Sequence, residues 1–452
     1  MHPRNRYRNV PDFIALAESY EPLRPYVTDS RIDFKDAEAQ RRLTEAIMFR
    51  DFGITLHIPL NRLCPPIPNR LNYVLWIQDI VHAHSSVLKS HPQAVRGIDI
   101  GTGASAIYPF LICKTEPGWK MVATEIDEES HSFAQKNISG NDMQSQITLS
   151  KASASGRILF PLEDNVRFEF SMCNPPFYGS AQEVADLAKE KELPPNAICT
   201  GADIEMIYPD GGEAGFVGRM VEESEQFLTQ CKWYTSMLGK MSSVLAIIEL
   251  LRKRTITNYA ITEFVQGQTR RWAVAWSFSD THLPDSIARI SSIPPSHALY
   301  PVLPPRNTLT QPFPGCMPAR LYEALAETLR TIEADGVLAT EVAPRAGSHH
   351  PSFFIEAQAN TWSRSARRSR RPRAEMQLQP DSHTGNTVAS AGKTNPSLTC
   401  SARVIIQETD AGSPTAATST CSVEFQWIYG KERALFESFV SHVNRKIAPK
   451  LK

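Results

Sequence analysis

The sequence predicts an α/β fold: one doubly wound, mostly parallel sheet with a closing antiparallel hairpin, a helical N-terminal appendage and a small C-terminal α+β module. Three observations carry this reading. From residue 71 onward strand-like and helix-like segments alternate, which implies parallel strands joined by crossover helices. One of those strands runs straight into Gly101-Thr102-Gly103 and a helix, and glycines there let the backbone turn and approach a ligand where a Cβ would collide. Two late strands, YAITEFVQG and RRWAVAWSFS, are separated by a short QT turn, the spacing of a hairpin.

The elements follow in order. Residues 1–70 are polar and helical in pattern, and DFKDAEAQRRLTEAIMFRDFG offers an Asp N-cap before an amphipathic run and a glycine stop at Gly53. The main domain is expected over 71–282. It opens with helix LNYVLWIQDIVHAHSSVL, strand VRGIDIG, helix SAIYPFLICK, strand KMVATEID, helix ESHSFAQKNI and strands QITLS and VRFEFSMCN. Helix EAGFVGRMVEESEQFL, strand KWYTSMLG, helix SSVLAIIELLRKR and the hairpin complete it. Residues 283–356 form a proline-rich connector and a first helix, ARLYEALAETLRTIEADG, of the C-terminal module. Residues 357–399 are rich in Ser, Arg, Thr, Asn and Gly with few large apolar side chains, too few to offset the entropy of ordering, so this segment is expected to be disordered. Residues 400–452 return to strand ARVIIQE, strand CSVEFQWIYG and amphipathic helix ERALFESFVSHVNRKI.

Composition narrows the function classes. A chain of 452 residues exceeds one ordinary core. Forty-eight Lys and Arg balance 48 Asp and Glu, so any affinity for nucleic acid must come from local basic patches. The eight cysteines are scattered singly, without CxxC or a Cys/His cluster at zinc spacing, and read as reduced thiols with no metal. No run approaches the roughly 20 apolar residues of a membrane span, and MHPRNRYRNVPDF lacks the apolar core of a signal peptide. The expectation is a soluble, non-secreted protein with no membrane partner.

The chemistry concentrates at the carboxyl ends of three strands. In a doubly wound sheet ligands lie there, at the switch point. Gly101 and Gly103 mark the first strand end, and Glu125, at the end of the next strand, is placed to accept hydrogen bonds from a ribose diol. A nicotinamide enzyme would favour GxGxxG; the sequence here is GTGASA, which fits S-adenosylmethionine better. At the end of VRFEFSMC stands Asn174-Pro175-Pro176-Phe177. The two prolines fix φ and remove N–H donors, leaving carbonyls near Asn174 to point outward. An aromatic amine is a poor nucleophile because its lone pair is delocalised. Two acceptors, the Asn174 side-chain oxygen and the Pro175 carbonyl, could hold both amine hydrogens and direct the lone pair at a methyl donor, with Phe177 stacking on the base. Taken alone, NPPF reads equally as a proline turn leaving a strand. Its order after GTG and Glu125 favours the catalytic reading.

With those residues in place, the sequence resembles the family of methyltransferase-like protein 16, the U6 snRNA adenosine methyltransferases, and more distantly the bacterial ribosomal RNA adenine methyltransferases. The likeness runs through RNRYRNVPDF, DFKD, IPNRLNYVLWIQD, RGIDIGTGASAIYP, ATEID, MCNPPF, GGEAGFV, WYTSMLGK and TEFVQGQTRRWAVAWSF, roughly residues 4 to 278. It implies a class I, Rossmann-like methyltransferase fold, S-adenosylmethionine as donor and structured RNA, U6 snRNA or similar stem-loops, as acceptor. It also implies that Arg70 pairs with the cofactor's methionine carboxylate, that Gly101, Gly103 and Glu125 hold the cofactor, that Asn174 holds the target amine, and that the 153–157 loop adds a contact through Ser153 or Ser155. Family members carry several arginines after NPPF; this chain has AQEVADLAKEKELPPNAICTG instead.

Candidate RNA contacts are Arg4, Arg6 and Arg8 beside Tyr7 in a basic N-terminal arm, Lys240 after WYTSMLG, and Gln268, Arg270 and Arg271 in the hairpin. Each reads also as a solvated surface charge, and Trp272 reads better as core. A dense basic run, Arg364, Arg367, Arg368, Arg370, Arg371 and Arg373, suits nuclear targeting or non-specific RNA affinity. Three functions remain open at this point: a U6 snRNA adenine methyltransferase, a ribosomal RNA adenine methyltransferase, and an RNA-binding splicing factor whose cofactor-binding domain is largely non-catalytic. A protein-glutamine methyltransferase would typically carry NPPY.

Overall fold

The computed structural model describes residues 1–87, 95–162, 166–184, 203–267, 269–291, 293–333, 336–344, 350–363, 366, 396–407 and 420–451. The chain divides into two compact units. One comprises residues 1–279 and 286–304, the other residues 280–285 and 305–452.

The first unit begins with helix α1 (Phe13–Ser19), the short strands β1 (Val27–Thr28) and β2 (Arg31–Ile32), and helix α2 (Ala37–Phe52). The cap signals of α2 act as read. The Asp36 side chain accepts the N–H groups of Glu38 and Ala39, and Gly53 ends the helix at φ 62°. The N-terminal 70 residues pack within the same compact unit as the sheet that follows. Asn137, in helix α5 (Glu128–Gly140), clasps the His57 backbone on both its N–H and its C=O, and Asn141 does the same at Thr55.

Helix α3 (Ile67–Val87) precedes strand β3 (Arg96–Ile100), helix α4 (Ile107–Thr115), strand β4 (Lys120–Glu125), helix α5 and strands β5 (Ile147–Lys151) and β6 (Phe168–Cys173). Helix α6 (Gly212–Phe227), strand β7 (Cys231–Leu238), helix α7 (Met241–Lys253) and strands β8 (Asn258–Gln266) and β9 (Thr269–Ser277) complete the unit's seven-stranded sheet. Its order is β5-β4-β3-β6-β7-β9-β8. The first five strands are parallel, and β9 runs antiparallel between β7 and β8. This is the doubly wound class I arrangement with the expected closing hairpin, and the order doubles back at β3, where β4 lies on one side and β6 on the other.

Alternation along β3 sorts the two faces. Ile98 and Ile100 pack into a core with Val217 and Val221 of α6 and Val244 and Ile248 of α7. Gly97 points the other way, where a Cβ would lie 2.2 Å from the Phe170 ring. Only glycine fits there. Tyr73 of α3, fully buried, shares a 2.6 Å hydrogen bond with Thr235 of β7 and accepts the Cys173 N–H at 3.4 Å.

The second unit is a five-stranded antiparallel sheet built from β10 (Thr308–Phe313), β11 (Val337–Val342), β12 (Ser352–Ala357), β13 (Leu398–Gln407) and β14 (Thr420–Tyr429), in the order β10-β14-β13-β12-β11. Helices α8 (Pro318–Glu333) and α9 (Arg433–Ile447) bury Leu325, Leu329, Phe436 and Phe439 against Ile355, Phe425 and Trp362. Most of the segment expected to be disordered, and the basic run from Arg367 to Arg373 with Arg364, lie outside the described residues. Among the described residues, no helix is long and apolar enough to cross a membrane, and seven cysteines are free thiols.

Candidate functional site

Strand register assembles the site. Ile100 pairs with Thr124 on one side and with Cys173 on the other, so the next residue on each strand, Glu125, Gly101 and Asn174, stand side by side. Neighbouring strands lie about 4.8 Å apart, which places three side-by-side functional groups within reach of one ligand.

The glycine turn is open. Gly101 and Gly103 hold φ of 70° and 66°, a backbone that favours glycine. A Cβ at Gly101 would meet nothing within 4 Å, and one at Gly103 would meet only the Glu205 carboxylate, at 3.9 Å. Glu125 is buried, and its carboxylate holds this turn: one oxygen accepts the Gly103 N–H at 2.8 Å, the other those of Ile126 and Asp127. Burial nonetheless raises its carboxyl above the ordinary value.

Asp99 was not singled out from the sequence, and the structure makes it prominent. It is fully buried, and among the described residues neither of its oxygens accepts a well-formed hydrogen bond. Desolvation pushes its carboxyl up from 3.8 to about 7, with the Glu125 charge adding to the rise and Thr102 and Arg70 opposing it. Arg70, in the first turn of α3, is buried with its guanidinium 5.7 Å from the centre of the Tyr108 ring. A buried acid lacking a partner beside a buried arginine, at an open glycine turn, suits a zwitterionic ligand. Ser155 is exposed in the loop after β5, its hydroxyl 3.2 Å from that of Ser153. That loop leaves β5 at Lys151, which pairs with Glu125.

The NPPF turn leaves β6 with Asn174 half-buried and its side-chain oxygen buried, without a hydrogen-bond partner among the described residues. Leaving such an acceptor bare costs about 1–3 kcal/mol, a cost typical of a site shaped for a ligand. Pro175 is buried, and Pro176 and Phe177 are half-buried. The Phe177 ring has Arg271 5.7 Å from its centre. Gly239 lies so close that a Cβ there would stand 2.8 Å from the ring. Tyr178 bridges to Ile207, bringing the short helical turn Asp203–Met206 alongside the loop. Glu205 of that turn accepts the Leu63 N–H at 3.1 Å.

The basic residues separate. Arg271 lies against the NPPF turn, whereas the exposed Arg270 pairs with Glu263 at 3.0 Å across the hairpin. Gln268 lies outside the described residues. Lys240 pairs with Glu183 and lies 5.7 Å from the centre of the Tyr178 ring. In the N-terminal arm Asn5 and Tyr7 turn inward, the Tyr7 hydroxyl donating to Asp51 at 2.6 Å. Arg4 bonds Asp79, Gln78 and the Leu75 carbonyl of α3, Arg6 lies 5.3 Å from the centre of the Phe52 ring, and Arg8 is exposed. Trp272 is buried, as expected of a core residue. Among the described residues there is no group of three or more His, Cys, Asp or Glu able to hold a metal.

A family model described as RNA methyltransferase matches residues 1–280. The chain is 40% identical over 266 residues to the U6 small nuclear RNA (adenine-(43)-N(6))-methyltransferase of Schizosaccharomyces pombe, a match covering 59% of this chain and 67% of that protein. It is similar to the hMettl16 catalytic domain solved in complex with MAT2A 3'UTR hairpin 1, at 38% identity and a TM-score of 0.57, covering 62% of this chain and 96% of that one. It is also similar to the N-terminal domain of human METTL16 in complex with SAH, at 36% identity and a TM-score of 0.51, covering 62% of this chain and 99% of that one. The chain spans about half to two thirds of the length of the curated relatives it matches.

Proposed function

This chain belongs to the RNA methyltransferase family, and from there we propose that it transfers a methyl group from S-adenosylmethionine to the exocyclic amine of an adenosine in structured RNA, with a U6 snRNA stem-loop as acceptor. The observation that carries the reading is the buried side-chain oxygen of Asn174, unpartnered among the described residues, beside the open Gly101 turn. The S. pombe relative, named for U6 snRNA, supports the choice of RNA, and the SAH-bound neighbour supports the donor, SAH being what remains of S-adenosylmethionine once the methyl has left.

The residues present fit that cofactor. Arg70 suits its methionine carboxylate, Asp99 its ammonium and Glu125 its ribose diol; Gly101 and Gly103 leave room for it, and Ser155 lies on the loop that would add a further contact. When bound, S-adenosylmethionine supplies an electrophilic sulfonium methyl. The Asn174 side-chain oxygen and the Pro175 carbonyl accept the two hydrogens of the adenine amine, which turns the nitrogen lone pair toward the methyl. Phe177 stacks on the flipped base, a contact worth about 1–3 kcal/mol. No ionised base is needed before attack, so rate comes from positioning and from fixed dipoles. Arg271 and Arg8 offer RNA phosphates a charge, with Arg6, Arg270 and Lys240 at the margin of that surface. Residues 1–70 extend the RNA-binding surface, 71–282 carry the chemistry, and the C-terminal strands and helices form an accessory module. A nuclear location follows from a U6 acceptor.

The test is product identification. The protein is incubated with S-adenosylmethionine carrying a deuterated methyl and a U6 snRNA stem-loop, and the RNA is digested to nucleosides for mass spectrometry. Labelled N6-methyladenosine is expected. Absence of label, or label on another atom, overturns the reading.

A further inference from the structure

Two adjacent residues outside the NPPF turn, Gly212 and Glu213, bind the walls around Phe177 together. Gly212 begins α6 at φ 61°, and a Cβ there would lie 3.1 Å from the Gly179 nitrogen and 3.2 Å from the Phe177 carbonyl oxygen. The start of α6 therefore abuts the backbone of the catalytic loop, and no larger residue fits without displacing it. The next residue reaches the opposite wall. Glu213 is 1% exposed, and its two carboxylate oxygens accept the N–H groups of Gly239 at 2.6 Å and Lys240 at 2.8 Å. A Cβ at Gly239 would in turn lie 2.8 Å from the Phe177 ring, so the backbone there runs close beside it.

The contacts close on themselves. The Lys240 ammonium reaches forward to Glu183, whose carboxylate accepts the Gly179 N–H at 2.7 Å, and Gly179 is the residue against which Gly212 packs. A charged carboxylate buried among backbone donors is costly to desolvate and is retained only when fully hydrogen-bonded. Helix α7 could be capped more simply, since its N-cap residue, Lys240, makes no side-chain cap and a Ser or Asp at that position would serve. The carboxylate comes instead from a helix 27 residues earlier in the chain that also packs on the catalytic loop.

We propose that Glu213 is a positioning residue for the acceptor base: by clamping Gly239 and Lys240 to the helix turn that packs on residues 177–179, it fixes the Phe177 ring in the orientation that aligns the amine with Asn174. The inference rests on the reading that Phe177 stacks on an adenine. Glu213 touches neither RNA nor cofactor in this role and acts through Gly239 on the ring. Gln in its place keeps the shape but turns an amide donor toward one of two backbone donors, loosening the clamp.

A double-mutant cycle with Phe177 tests it. Methyl transfer to the U6 stem-loop is measured for wild type, Glu213→Gln, Phe177→Ala and the double variant, alongside stem-loop and S-adenosylmethionine affinities. Glu213→Gln should lower kcat by about 10- to 100-fold, the scale of a small misplacement of a reacting group, with both affinities held within about threefold of wild type. In the Phe177→Ala background the same change should cost less than about threefold, because residues acting as one unit are non-additive. Parental kcat in Glu213→Gln, or an equal loss in both backgrounds, overturns the proposal. Should Glu213→Gln lose cofactor binding, Glu213→Asp, which keeps the charge but shortens the reach to the Gly239 and Lys240 N–H groups, enters the same cycle with an expected loss of about 3- to 10-fold, and parental kcat or additivity there overturns the proposal. A wild type that transfers no methyl to the stem-loop counts against the adenine reading itself; an active wild type with an additive cycle counts against Glu213 alone.

Discussion

The Glu125 carboxylate accepts the Gly103 backbone N–H at 2.8 Å, so the end of β4 holds the turn that follows β3. A residue read from the sequence as a ribose ligand is also the brace of the glycine turn. Glu125→Ala should therefore lose the ribose hydrogen bonds, each charge-assisted bond being worth roughly 1.5–3 kcal/mol, and free the turn as well. Titration calorimetry should show the S-adenosylmethionine Kd rising by on the order of 10- to 100-fold or more. An unchanged Kd in a folded variant contradicts the assignment.

Asp99 sets a pH dependence whose sign is opposite to that of a salt-bridged acid. Burial raises its folded-state value from 3.8 to about 7, so the folded protein holds this proton more tightly than the unfolded chain. The stabilisation is complete below about 4 and is lost as pH rises through about 7. Asp99→Asn cannot ionise and should remove that part of the fall in Tm between about pH 5 and about pH 8, measured by thermal denaturation of the free protein. Cofactor affinity should move the other way. Ionised Asp99 is the form that pairs with an ammonium, so wild-type affinity should rise across this window and the Asn variant should lose the rise. Parallel pH profiles for the two proteins would place Asp99 outside the cofactor's reach.

Tyr73 links α3 to the strand that delivers Asn174. Its hydroxyl meets Thr235 at 2.6 Å and the Cys173 N–H at 3.4 Å. Tyr73→Phe leaves these groups short of one partner, and urea denaturation should show a loss of about 1–2 kcal/mol. Cofactor affinity should barely change. A loss of cofactor binding without a loss of stability would assign Tyr73 to the ligand.

The N-terminal arginines should divide. Arg4 spends its guanidinium on Asp79, Gln78 and Leu75 of α3, so Arg4→Ala should cost stability, about 1 kcal/mol or less for a half-exposed pair. Arg8 is exposed, and Arg8→Ala should weaken binding evenly across RNA sequences and reduce the slope of log K against log salt by about one. Equal salt slopes for wild type and Arg8→Ala would remove the arm from the RNA interface.

Much of the sheet was legible because its strands end in punctuation. Gly101-Thr102-Gly103 and Asn174-Pro175-Pro176 mark where β3 and β6 stop, and hydrophobic alternation marks the rest. The C-terminal sheet was harder. Of the edge strands β10 and β11 only Val337 is fully buried, so little apolar alternation announces them, and proline stands inside β10 at Pro312. β12 alternates cleanly but spans only six residues between loops. At the site, Gly101, Glu125 and Asn174 were legible because strand ends place them there whatever the tertiary detail. Glu213 was not, because its partners at 239 and 240 lie 26 and 27 residues away and carry no side-chain signal, being backbone N–H groups. Arg4 read as a free charge because nothing in the sequence pairs it with Asp79, 75 residues on.

Asn174 separates chemistry from binding. Among the described residues its side-chain oxygen is buried and unpartnered, and in the proposed mechanism its task is to hold an amine hydrogen once the base is flipped. Loss of that contact should fall on turnover and leave RNA affinity nearly untouched. Single-turnover transfer of labelled methyl to the U6 stem-loop by Asn174→Ala should be slower by on the order of 100- to 1000-fold, by analogy with the loss of one preorganised electrostatic contact, while the stem-loop Kd stays close to that of wild type. An Asn174→Ala protein that methylates the stem-loop at the parental rate would reduce NPPF to a structural turn and contradict the mechanism.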